Sequence, residues 1–101
     1  MATDKFMAMI GFAKRARRIV YGLDSLQTTK RLKLLAVSDT ASDNLLSSMV
    51  RLSQKLNLPL ITVDGLEAKM GGNCKALGIT DEFMALEMIE YVKGGAQGYK
   101  I

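Results

Sequence analysis

The sequence predicts an α/β domain: one central sheet of four strands, mostly parallel, with helices on both faces. Two patterns carry that expectation. Segments with helical spacing alternate with short apolar runs of strand length, from a first helix through to a last one. In addition, Leu34-Leu35-Ala36-Val37 is apolar at every position, as a strand buried on both faces must be. The 101 residues, 49% hydrophobic and 24% charged, suffice for one domain with its own core and are too apolar for a disordered chain. Residues 1–93 read as that domain. Residues 94–101, GGAQGYKI, lack an apolar period and read as a mobile Gly-rich tail.

Each element has its own signal. Thr3 or Asp4 is placed to cap a first helix marked by Phe6, Ile10, Ala13 and Arg17, with Met9 and Ala16 beside the stripe and Phe12 read as core. Ile19-Val20-Tyr21 is a short strand closed by Gly22. Asp24 or Ser25 then caps a second helix, with Leu26 inward and Gln27, Thr28 and Lys30 outward. After the second strand, Ser42 is placed to cap a long helix whose Leu45, Leu46, Met49, Val50, Ser53 and Leu56 share one side. Asn57 ends it and Pro59 enforces the stop. Residues 60–63 form the third strand. Asp64 and Glu67 resemble a capping box for a short helix over 65–70. Gly71-Gly72-Asn73 is a turn, and 75–80 is a fourth strand weakened by Gly78. Thr80 or Asp81 caps the last helix, which turns Met84, Ala85, Met88, Ile89 and Val92 inward and stops at Gly94-Gly95.

Composition narrows the function. The chain has no histidine, the commonest general base and neutral metal ligand. Its one cysteine, Cys74, has no histidine to activate it, and no metal-ligand spacing is present. An enzyme is therefore not expected, nor is a cofactor or metal. One cysteine excludes an internal disulfide and fits a reducing compartment. MATDKF carries Asp4 where a signal peptide has basic residues, and the apolar runs fall far short of a bilayer, so the expected location is cytoplasmic, with no membrane partner. Asp39, Asp64 and Asp81 each follow a strand and could converge, but each is also placed as a cap.

Charge is the feature above background. The net charge is +4, yet residues 1–33 hold eight Lys/Arg against two Asp, while the remainder is slightly acidic. Lys14, Arg15, Arg17 and Arg18 lead into the Gly22 turn, and a helix opening beside cations suits an anion. Lys and Arg donate to phosphate oxygens, Arg as a bidentate fork. Ser25, Gln27 and Thr28 add side-chain hydrogen-bonding groups. Three Tyr and three Phe are few for stacking a long single strand, so a structured RNA read by shape and backbone is the better match.

Four blocks, GFAKRARRIVYG, LLAVSDTAS, NLPLITV and GITDEFMALEMI, stand in this order between residues 6 and 92. Together they resemble the kink-turn-binding ribosomal-protein family, and most of all its bacterial YlxQ branch. The resemblance implies a three-layer α/β/α sandwich with a mixed sheet. It also implies RNA with a sharp bend and tandem sheared G·A pairs, ribosomal RNA included, in a ribonucleoprotein with ribosomal proteins nearby and no cofactor. We expect a monomer. Of the family's RNA site at the head of the second helix, Gly22 carries over. Asp24 stands at the Asn place, Ser25 at the Glu place, and Thr28 where a Lys would fall. Asn donates and accepts whereas Asp only accepts, so a guanine O6 loses its donor. Lys30-Arg31-Leu32-Lys33 lacks the family's basic-Gly turn, which implies a shorter second helix. Further contacts implied are Asp39, in Val37-Ser38-Asp39, and the loop Gly71-Gly72-Asn73-Cys74-Lys75, where glycine permits a close approach to RNA. The Asp24 and Ser25 departures leave an alternative open: a protein-interaction module of the same fold that has lost kink-turn recognition.

Overall fold

A computed structural model describes residues 5–70, 72–95 and 98–101. The expected cap at Thr3 or Asp4, and Gly71 of the expected turn, lie outside the described residues. The elements are α1 (Lys5–Arg15), β1 (Ile19–Tyr21), α2 (Leu23–Thr28), β2 (Leu34–Ser38), α3 (Asp43–Leu56), β3 (Leu60–Val63), α4 (Leu66–Lys69), β4 (Ala76–Ile79), α5 (Glu82–Lys93) and β5 (Tyr99–Lys100). The α/β alternation is as expected. The strand count and direction are not.

The strands form one mixed sheet in the order β1-β4-β2-β3-β5. Among the described residues only β2 and β3 pair in parallel. β4 lies antiparallel between β1 and β2, with Ile19, Ile79 and Leu34 in register, and β5 runs antiparallel to β3. The mixed sheet that the resemblance implies is observed, while the mostly parallel, four-stranded expectation is corrected to five strands and one parallel pair among the described residues. A buried apolar run reads the same in either direction, which is why sequence alone misjudged β4.

Alternation along each strand sends side chains to two cores. On one face, Leu34, Ala36, Leu77 and Ile79 pack with Phe6, Ile10 and Ala13 of α1 and with Ala85 and Met88 of α5. On the other, Leu35, Val37 and Ala76 pack with Leu26 of α2 and with Met49 and Leu52 of α3. All five residues of β2 are buried, and each large apolar side chain so buried contributes about 1.5–3 kcal/mol. Gly78 is a packing requirement rather than a weakness. A Cβ there would lie 2.5 Å from Leu32 Cδ2 and 2.6 Å from Leu26 Cδ2, so the missing side chain lets both leucines lie on the sheet.

Caps explain several boundaries. Ser42 Oγ accepts from the Leu45 N–H and Asp81 Oδ1 from the Met84 N–H, as read from sequence. Asn57 adopts a left-handed φ of 55° and closes α3. Other expectations need correction. Gly22, not Asp24 or Ser25, occupies the cap position of α2, without a side-chain bond. Gly65 does so for α4, so Asp64 and Glu67 form no capping box. Along α3, Met49 and Leu52 are buried, while Leu46, Val50 and Leu56 stay more than a third exposed, because the face that meets the sheet is rotated toward Leu52. Phe12 is 58% exposed rather than core.

The fifth strand comes from the segment read as a tail. Tyr99 pairs with Val63 and Lys100 with Thr62. The Tyr99 ring is buried, 4.4 Å from the Phe6 ring centroid and 6.0 Å from that of Tyr91. One inward side chain produces no period, so sequence pattern could not reveal it. Replacing Tyr99 by Ala removes that anchor. We expect Tyr99→Ala to cost about 3 kcal/mol or more in urea unfolding, the usual loss for a buried aromatic; a freely mobile tail would make the substitution neutral.

Candidate nucleic-acid interface

The antiparallel β4 divides the candidate residues between two opposite edges of the sheet. At one edge the carboxyl ends of β1, β2 and β3 meet the start of β4. The Gly22 N–H donates to the Ala76 carbonyl (3.1 Å), the Ser38 N–H to the Lys75 carbonyl (2.8 Å) and the Asp39 N–H to the Val63 carbonyl (3.0 Å). This edge brings together Gly22, Asp24, Ser25, Asp39, Gly72, Asn73 and Lys75. A shallow depression there is lined by Tyr21, Gly22, Leu23, Asn73, Cys74 and Lys75, among others. Gly22 holds φ 84° and ψ 147°, a conformation that favours glycine.

The polar groups of this edge largely satisfy one another. Asp39 Oδ1 accepts from the Gly65 N–H (2.9 Å). Glu67 accepts from the Thr40 hydroxyl and from Ser38 Oγ (2.9 Å), with Lys75 Nζ at 3.9 Å. The donated bonds from Thr40 and Ser38, with Lys75 adding its charge, hold the Glu67 carboxyl below the usual range. Ser38 is the buried polar side chain on which this cluster closes. Sequence reading gave Glu67 only a local capping role, because its partners lie on β2 and the following loop, 27 and 29 residues away. Cys74 donates to the Ala76 carbonyl at 3.1 Å, and burial pushes its thiol pKa up, the opposite of an activated nucleophile.

The cations stand at the other edge. The Thr80 N–H donates to the Arg18 carbonyl (2.9 Å) and the Lys33 N–H to the Ile79 carbonyl (2.8 Å). Residues 18 and 33 thus flank the end of β4, about 10 Å apart across two strand spacings. The last turn of α1 supplies Lys14 and Arg15, the loop after it Arg17 and Arg18, and the connection after α2 Lys30, Arg31 and Lys33. All seven are exposed. Among the described residues, no carboxylate forms an ion pair with any of them; the one such pair there is Lys75–Glu67. Arg15 lies over the Phe12 ring, 4.8 Å from its centroid.

The expected basic corner at the head of α2 is therefore corrected. Arg18 and Gly22 are separated by the length of β1, about 13 Å, and the charged residue in the first turn of α2 is Asp24. Gln27 faces Ser48, Arg51 and Lys55 of α3 instead of either edge. The Thr28 hydroxyl donates to the Ser25 carbonyl at 3.1 Å. Arg31 and Lys33 join the cationic edge and were missed as site residues. Their signal was present in the run Lys30-Arg31-Leu32-Lys33, but only the strand order shows that it meets residues 14–18.

Among the described residues no cluster of His, Cys, Asp or Glu could hold a metal ion, and no helix is long and apolar enough to cross a membrane. No family model and no curated protein matches the chain. Among solved structures it is similar to a protein with unknown function from Bacillus halodurans, with a TM-score of 0.77 at 17% identity over 90% of this chain and 99% of that one. That likeness is one of fold.

Arg17 carries a local cost. It sits at φ 58°, the left-handed position that ends α1, with the Arg17 N–H donating to the Lys14 carbonyl (3.2 Å) and the Arg18 N–H to the Ala13 carbonyl (2.8 Å). Glycine is the usual residue in this motif, and a side chain in this conformation costs roughly 1–2 kcal/mol. Arg17→Gly should stabilise the fold by about 1 kcal/mol in denaturant unfolding, after the entropy of glycine in the unfolded chain is offset. A destabilised variant would show that the Arg17 side chain contributes to the fold.

Proposed function

We propose that this protein binds structured RNA, and that the cationic edge formed by Lys14, Arg15, Arg17, Arg18, Lys30, Arg31 and Lys33 is its main contact. The observation that carries this reading is the convergence of two loops, distant in sequence, into one exposed set of cations without acidic partners among the described residues. Crowded like charges repel, and an oriented polyanion relieves that repulsion. An α/β surface of this kind grips phosphates in a folded RNA, with no cofactor and no catalytic step.

The resemblance to kink-turn binders supports a ribosomal or ribonucleoprotein target and a three-layer sandwich scaffold. On that reading the opposite edge, with Gly22, Asp39, Gly72, Asn73 and Lys75, meets the RNA backbone in its bend. Asp24 accepts only, so contact there is with base N–H donors rather than with guanine O6. A second reading has one specific support. Asp39 and Glu67 already have partners, so that edge also suits a protein surface. Copurification of a protein partner after nuclease treatment, with no RNA crosslinked in cells, favours the second reading.

The cationic reading is checked by salt titration of binding to a structured RNA. Each neutralised phosphate contributes roughly −0.7 to −0.9 to the slope of log K against log salt. Arg15→Ala combined with Arg18→Ala should weaken binding and flatten the slope by about 2. Unchanged affinity and slope in this double variant contradict the proposal.

A further inference from the structure

Phe12, Leu86 and Phe83 stand 58%, 52% and 79% exposed on α1 and α5. The two phenylalanines border an open apolar groove of about 380 Å³ between these helices. One wall carries Lys5, Ala8 and Phe12 of α1, and the other Phe83, Met84 and Glu87 of α5. The Thr80 N–H and hydroxyl both donate to the Arg18 carbonyl, at 2.9 and 3.2 Å, so α5 starts beside the end of α1 and the two helices run antiparallel. Phe12 and Phe83 therefore share one end of the groove. Lys5 shares the other end with Glu87 and Glu90, where Leu86 extends the apolar surface. Among the described residues, neither Lys5 nor Glu87 has an ion-pair partner in its own chain.

The two walls are complementary to each other. Helix α1 holds three cations and no acid, while α5 holds three Glu and one Lys. Lys5 lies about 10 Å along its helix from Phe12, and Glu87 and Glu90 lie about 6 and 10 Å from Phe83. A two-fold axis along the groove lays α1 of one chain on α5 of another. Phe12 then meets the partner's Phe83, and Lys5 the partner's Glu87, with each contact made twice. We propose that this face is the interface of a homodimer, in place of the monomer expected from sequence. An axis across the groove would instead set α1 on α1, cation against cation, and like-charge juxtaposition opposes that. At their exposures the three apolar side chains offer roughly 350 Å², close to half of the about 800 Å² that each partner buries in a standard interface. Polar residues along both walls supply the rest. Residues 14–18 of the two chains emerge at the same end, where moderate salt screens their repulsion.

The test is sedimentation equilibrium of the full chain at moderate salt without RNA, so its outcome is independent of the RNA reading. Wild type should pass from monomer to dimer in the micromolar range. Phe12→Ala combined with Phe83→Ala should stay monomeric throughout, with thermal melting of the same sample to verify folding. A charge exchange tests the same face without removing apolar volume. Lys5→Glu and Glu87→Lys should each weaken the dimer about tenfold, since symmetry counts every altered pair twice. An equimolar mixture of these two variants should restore it, because their charges are complementary only between unlike chains. Wild type that stays monomeric, even where the groove captures another protein, overturns the proposal. So does a double Ala variant that still dimerises, or a mixture that associates no more tightly than its components.

Discussion

The reversed insertion of β4 between β1 and β2 is the constraint on which the rest of the structure depends. Its register, Ile19 to Ile79 to Leu34, fixes where every connection emerges. Two loops separated by a helix and a strand become neighbours because both begin strands that flank the end of β4. The insertion needs a close fit on the α2 side. Gly78 supplies it by leaving room for Leu26 and Leu32, both almost fully buried. A side chain at that point would force Leu26 and Leu32 to give way.

The two edges then differ in their electrostatics. Where β1, β2 and β3 end, Ser38, Thr40, Glu67 and Lys75 form a mutually satisfied cluster that ties β2 to α4 and to the start of β4. Hydrogen bonds to Glu67 favour its charged form, and this contribution holds above the ordinary carboxylate range and fades as pH falls through the lowered value. At the opposite edge, cations are gathered without such compensation among the described residues, and one of them, Arg17, occupies a backbone conformation better suited to glycine. Strain and uncompensated charge in the same loop oppose folding and favour a bound polyanion.

Much of this scaffold was legible in the sequence, and the reasons for the exceptions are physical. Ser42, Asn57 and Asp81 identified helix ends because capping depends on local chemistry. Leu34 to Val37 identified the central strand because burial on both faces leaves no polar position. Strand direction left no such mark, so the opposition of Gly22 to Arg18 was invisible even though both residues had been singled out. Phe12 has the composition of a core residue, and only the packing of α1 against α5 shows that it faces outward. Glu67 looked like a local cap because its distant hydroxyl partners could not be read from spacing. Tyr99 adds a strand through a single buried ring and two backbone pairings, too little for a periodic signal.

The proposed RNA binding carries one spatial expectation: contact at the edge where β1 and β2 begin. Amide chemical-shift mapping of the isotopically labelled full chain, titrated with a structured RNA stem at moderate salt, tests that claim most directly. The account predicts that the largest shifts cluster at residues 14–18 and 30–33. Shifts confined to residues 43–57 along the outer side of α3, or no shifts at saturating RNA, would contradict it.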